Sequence, residues 1–302
     1  TDEEMERMRE HVKDAMEEGA MGIGSSLIYA PGDYASTEEL IELCKVASNY
    51  GGMYISHMRN EDSKVMSALE ELIRISKEAD IPAEIYHLKS SRKPNWKKID
   101  DIIKRVEEVR GQGLKITADI YTYNASSTGL TGVIPTWVQE GGHKAWIERM
   151  KDPNIRPRLL EDIRKELSEQ PPEGILMVGF KTSEMSKKYL SKTVAEAAKM
   201  RGQSPEEAIV DMVIEDDNRI QCIYFSMSEE NIRKKIKLPW VSFCSDAGVY
   251  SDITKNFRTH PRAFGSFVRV LGKYSRDENL FPLEEGIRRL THFPASNLKL
   301  KN

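Results

Sequence analysis

Cysteine is scarce here: 302 residues carry Cys44, Cys222 and Cys244 only, far apart. That excludes a disulfide framework and a Cys-rich zinc knuckle. No apolar run approaches the roughly 18 residues of a membrane span. No excess of either charge exists: 45 basic against 48 acidic side chains leave −3. Such a chain projects no positive field towards nucleic acid and has no basic block for a membrane surface. Repeats, low-complexity tracts and obvious linkers are also missing. The expectation is a reducing, cytoplasmic setting, with neither nucleic acid nor membrane as partner.

What is present is a core-forming chain with a well-charged surface, 39% hydrophobic and 31% charged. Its first segment, up to Gly19, reads as a helix with Met5, Met8, Val12 and Met16 on one face. AMGIGSSLIY follows as a buried strand whose glycines let the backbone approach something closely. Ser36 with Glu39 marks a helix start and Gly51 its stop. MYISH, PAEIYH and LKITADIY read as further strands, separated by helices near 61–79 and 96–110. Near-continuous apolar strands alternating with helices indicate a parallel sheet covered on both faces.

Past Tyr123 the rhythm loosens. SSTGLTGVIPTW reads as loop. Helices are expected near 156–169, 193–201 and 204–215, with strands ILMVGF and IQCIYFSM. WVSFCSDAG is the last clear strand, and helices near 261–274 and 283–292 close the chain. One α/β domain over 1–302, carrying an insertion at about 130–235, is the simplest organisation.

The polar residues fall at strand ends. MYISHMRNED and AEIYHLKSS each run into a histidine, an apolar residue and a cation, Arg59 or Lys89. His57 and His87 lie 30 positions apart. Parallel α/β folds collect catalytic groups at the carboxyl ends of strands, where Tyr29, Asp119, Tyr121 and Asp246 also fall. Two neutral imidazoles suit a zinc-class ion. The plainer reading keeps weight: a strand-end histidine is ordinarily a hydrogen-bonded structural residue. SDAG is also good turn chemistry, and Asp119 can be paired with a neighbouring cation. Cys244 reads as packing, His11 and His143 as surface, His292 as structural, and His260 as a helix cap or pocket edge.

Six stretches, GAMGIGSSLIYAPG, YISHMRNE, IYHLKSS, DIYTYNASSTGL, VSFCSDAG and THPRAFGSFVRVLGKY, together resemble successive motifs of the N-acyl-D-amino-acid deacylases of the amidohydrolase superfamily. The resemblance runs from about Glu4 to the end. It implies a metal-bearing TIM-barrel-type fold and hydrolysis of N-acyl-D-amino acids. It also implies zinc, with one tight site and room for a second, weaker one. Under it His57 and His87 are metal ligands and Asp246 is the acid/base. Tyr29, Lys89, Tyr121 and Ser127 hold the substrate, chiefly its carboxylate.

The chain departs from the family pattern in lacking the His-x-His pair of the first strand and the cysteine of the second. The implied fold is therefore an incomplete barrel, strands four to eight, with the insertion before the last strand. A further N-terminal segment carrying His-x-His and cysteine is the expected partner. Two other functions remain open: another amidohydrolase activity, dihydroorotase- or hydantoinase-like, and a catalytically incomplete fragment.

Overall fold

A computed structural model describes residues 1–248 and 258–300. The first helix, α1 (Asp2–Glu17), starts at a reciprocal Thr1–Glu4 capping box, and Gly19 leaves it at a positive φ of 106°. Three strand–helix steps and a fourth strand follow: β1 (Gly22–Ser26), α2 (Thr37–Asn49), β2 (Met53–His57), α3 (Val65–Glu78), β3 (Ala83–Ile85), α4 (Lys98–Gly111) and β4 (Ile116–Ile120). The chain then leaves the sheet for β5 (Ser126–Gly129), β6 (Ile175–Gly179) and β7 (Gln221–Tyr224). It returns as β8 (Val241–Phe243).

The main sheet is wholly parallel in the order β1-β2-β3-β4-β8, so the excursion between β4 and β8 is an insertion in space as well as in sequence. The excursion has its own antiparallel sheet, β5-β7-β6. The SSTG stretch, expected as loop, is therefore a strand. Of its residues only Thr128 favours a strand, and the stretch is ordered by pairing with Gln221–Tyr224, which no local pattern reveals.

The two faces of the main sheet differ. Register places Tyr54, Ala83, Ile85, Ile116, Ala118, Val241 and Phe243 on one face, within the core cluster that includes Leu69, Leu72, Ile99 and Ile102 of the helices. Each fully buried aliphatic there removes enough apolar area from water to favour folding by about 1.5–3 kcal/mol, an upper estimate. The opposite face carries His57, Glu84, Thr117, Asp119 and Ser242. So helices cover one face, and polar side chains occupy the other, unlike the two apolar faces expected from the strands. The insertion packs around a second core that includes Met150, Leu159, Ile163, Met177, Ile209 and Val213.

Candidate active site

His57 is the last residue of β2 and aligns with Ser26 of β1. His87 follows β3 with a φ of 37°, and Asp246 follows β8 with a φ of 47°. Both take the left-handed conformation that turns the chain out of its strand and costs a non-glycine residue of order 1 kcal/mol or more. The His87 turn is held by its neighbours: its backbone N–H donates to Asp119 Oδ1 at 2.6 Å, and Leu88 N–H to the Asp119 carbonyl at 2.9 Å.

The imidazoles of His57 and His87 meet edge to face, with centroids 4.4 Å apart. Glu61, four residues beyond His57, lies between them, 3.6 Å from His57 Nε2 and 3.2 Å from His87 Nδ1. One donor atom from each of the three lies within 4.8 Å of the others, and all three residues are buried. His57 Nε2 is buried with no hydrogen-bond partner. Burial keeps that imidazole neutral, lowering its pKa to about 3. Burial opposes ionisation of Glu61, yet the facing His57, Lys89 and His87 hold its carboxyl well below the usual range. An orphaned imidazole nitrogen, a second imidazole and an ionised carboxylate form a donor set that fits a divalent cation.

Lys89 Nζ donates to Glu61 Oε1 at 2.8 Å, also touches His87 Nδ1, and lies 5.7 Å from the centre of the Tyr121 ring. The buried Arg262 also stands against that ring, its guanidinium 4.6 Å from the centroid. Arg262 Nη1 lies 2.5 Å from Asp246 Oδ2, and Nη2 donates to the Ser127 carbonyl at 3.3 Å. The cavity among these groups has a volume of about 1030 Å³, with the strand ends of the main sheet on one side and the insertion on the other.

All seven residues singled out from the sequence line this one cavity: Tyr29, His57, His87, Lys89, Tyr121, Ser127 and Asp246. The Tyr29 hydroxyl donates to Thr128 Oγ1 at 3.1 Å, and Ser127 Oγ donates to the Cys222 carbonyl at 2.8 Å. Two groups escaped the sequence reading, Glu61 and Arg262. The signals were a carboxylate at the fourth position after His57 and an arginine two beyond His260 in THPR.

Three expectations change. Among the described residues Asp119 pairs with no cation: it accepts the His87 N–H, lies against the Cys244 thiol, and burial raises its pKa. Arg59, the counterpart of Lys89 in the repeated pattern, leaves the site for Glu71, with Nε–Oε2 at 2.9 Å. Cys244 borders the cavity rather than filling core. His260 is buried beside the site: its Nε2–H donates to the Ala125 carbonyl at 2.9 Å, its Nδ1 accepts the Arg262 N–H at 2.9 Å, and burial lowers its pKa to about 4.

The chain is 30% identical, over 99% of its length, to the D-aminoacylase of Alcaligenes xylosoxydans xylosoxydans. The chain is a homologue of the D-aminoacylases. It is also 29% identical over 96% of its length to an N-acyl-D-glutamate deacylase of the same organism. It spans about half of these relatives, 52% and 49%. A crystal structure of D-aminoacylase, described as defining a novel subset of amidohydrolases, superposes with a TM-score of 0.75 at 29% identity. That match covers 99% of this chain and 53% of the other. The N-acyl-D-glutamate deacylase of Bordetella bronchiseptica, bound to zinc and a phosphonate mimic of the tetrahedral intermediate, gives 0.78 at 26% identity. It too is covered over 53% of its chain, and this chain over 99%. No protein-family model matches the chain.

Proposed function

We propose that the protein is a zinc-dependent deacylase that hydrolyses N-acyl-D-amino acids to a D-amino acid and a carboxylate. One observation carries the reading: a cation-binding donor set, a carboxylate and two cationic anchors converge on one cavity at the strand ends. His57, Glu61 and His87 would hold one ion tightly, with a second ion held more weakly. When bound, it would polarise the amide carbonyl and acidify water.

The chain's own groups supply the rest. Lys89 and Arg262 flank Tyr121 and are placed to hold an α-carboxylate, with Tyr29 and Ser127 completing the wall. Asp246 is the base: it takes a proton from water as the oxygen adds to the carbonyl carbon. It then gives that proton to the nitrogen as the C–N bond breaks.

The five-stranded sheet, whose outer members are β1 and β8, is read as strands four to eight of a barrel. That the chain spans about half the length of these relatives supports reading it as part of a larger barrel. The same coverage favours a second reading, a catalytically incomplete unit.

The deciding experiment is metal content by mass spectrometry together with turnover of N-acetyl-D-methionine and its L enantiomer. Stoichiometric zinc with D-selective turnover is expected of the deacylase. Zinc without turnover of any N-acyl amino acid, but with opening of dihydroorotate or hydantoins, would move the assignment to cyclic amides. Neither zinc nor turnover would favour the incomplete unit.

A further inference from the structure

The relatives differ in the side chain their names specify: a D-aminoacylase, an N-acyl-D-glutamate deacylase and an N-acyl-D-aspartate deacylase. Identity does not separate the first two, at 30% and 29%. The cavity's charges do. We propose that this site accepts N-acyl amino acids with an uncharged side chain and rejects the glutamate and aspartate derivatives. The inference rests on the deacylase reading above.

Among the described residues lining the cavity, three side chains are fixed cations, Lys89, Arg92 and Arg262, against five carboxyl groups, Glu61, Asp62, Asp119, Glu166 and Asp246. Each cation already has a partner. Lys89 holds Glu61 and Arg262 faces Asp246. Arg92 lies 3.4 Å from Asp62, 2.7 Å from Glu166 and 3.4 Å from Glu169. One substrate carboxylate can be met by Lys89 and Arg262 together. Among the described residues a second would find only Arg92, whose three carboxylates outnumber its single charge and repel another.

The other polar side chains that line the cavity from the insertion, among them Ser126, Thr128, Thr131, Gln170 and Ser226, are neutral. Ile134 and Pro135 of the insertion, and Ile28 of the β1–α2 connection, add apolar side chains to the lining. The polar groups beside them are committed: Thr136 Oγ1 donates to Asp33 Oδ2 at 2.6 Å, Gln139 Nε2 to the Ile134 carbonyl at 2.9 Å, and Tyr224 Oη to the Gly129 carbonyl at 2.8 Å. A carboxylate placed against this wall exchanges its water for neutral groups and gains no cation among the described residues, a cost that a neutral amide or thioether of the same size does not bear.

The test compares isosteric pairs on the full-length, zinc-loaded protein: N-acetyl-D-glutamine with N-acetyl-D-glutamate, and N-acetyl-D-asparagine with N-acetyl-D-aspartate. Each is followed by kcat/KM and, independently of turnover, by calorimetric binding. The acids are expected to be poorer by roughly 100-fold or more in both. Acids equal to or better than the amides would overturn the proposal. Binding of the amides in preference to the acids, without turnover, would uphold it and overturn the deacylase reading instead. Binding of none of the four would overturn both. Ile28→Lys provides a second arm. It should raise the glutamate-to-glutamine ratio at least about tenfold by supplying the missing partner. An unchanged ratio in a folded variant would remove the wall from the argument.

Discussion

Two residues decide how the site works, and each supports a measurable expectation. Glu61 contacts both imidazoles and Lys89, so it is either a third metal ligand or merely the counter-ion of Lys89. The ligand reading predicts that Glu61→Gln weakens zinc retention at least tenfold against a competing chelator, as His57→Asn does more severely. Unchanged zinc affinity in Glu61→Gln would leave only the counter-ion. Arg262 is buried and shared between Asp246 and the open cavity. Under the proposed function, an arriving α-carboxylate would compete with Asp246 for the guanidinium and free it to act as base. Arg262→Met should therefore raise KM for an N-acyl amino acid by about 100-fold, an effect of the size a charge-assisted bidentate contact provides. The N-acyl amine lacking the carboxylate should be a poor substrate of both enzymes and discriminate little between them. Equal losses on both compounds would show that Arg262 only maintains the fold.

At the scale of the strands, Gly22 and Glu84 show how closely this sheet is specified. A Cβ at Gly22 would meet the Met53 carbonyl oxygen at 1.9 Å, and its φ of 149° is one few other residues adopt. At Gly24 the nearest atom is the Ile55 Cγ2 at 3.7 Å, an ordinary contact. Gly22→Ala should cost about 2–4 kcal/mol in urea unfolding, whereas Gly24→Ala should be near neutral. Glu84 is buried on the polar face, where Thr117 Oγ1 donates to it at 2.7 Å and Asn297 Nδ2 at 3.2 Å. Burial and the neighbouring Asp119 raise its pKa from 4.5 to about 7. The native state therefore binds a proton that the unfolded chain has lost, and stability falls as pH rises from about 4.5 to 7. Glu84→Gln removes this penalty, so its advantage over the parent should grow by about 1–3 kcal/mol between pH 4.5 and pH 8. A pH-independent difference would mean that Glu84 does not titrate in this range. Much of this was legible locally. Hydrophobic rhythm placed β1 to β4 and β8, and the glycines of GAMGIGSS announced the close approach of β1 to β2. Strand-end position selected Tyr29, His57, His87, Asp119, Tyr121 and Asp246, and the family resemblance added Lys89 and Ser127. What could not be read depends on chain segments that meet only after folding. Arg262 reaches Asp246 and Ser127 across the cavity, the β5 strand exists through its pairing with β7, and the polar face carrying Glu84 and Asp119 looks apolar until register separates the two faces.

At the scale of the molecule, the two hydrophobic cores share no residue: one lies beneath the main sheet and its helices, the other inside the insertion. They are joined by polar ties around the cavity, such as Arg92 with Glu166 and Arg262 with the Ser127 carbonyl. Polar ties of this kind are partly exposed to solvent and add little cooperativity compared with a continuous apolar core. Unfolding should then depart from a single two-state step, the calorimetric enthalpy exceeding the van't Hoff value. Leu159→Ala opens a cavity in the insertion core, where that side chain is fully buried, and should lower one of two transitions by about 2–4 kcal/mol while leaving the other in place. Leu69→Ala, in the core beneath the main sheet, should move the other transition instead. Since the cavity is walled by both units, either loss should weaken binding of N-acyl amino acids, whereas zinc retention by His57, Glu61 and His87 should follow only the main-sheet transition. A single transition shifted equally by both substitutions would mean that the ties around the site couple the cores into one cooperative unit.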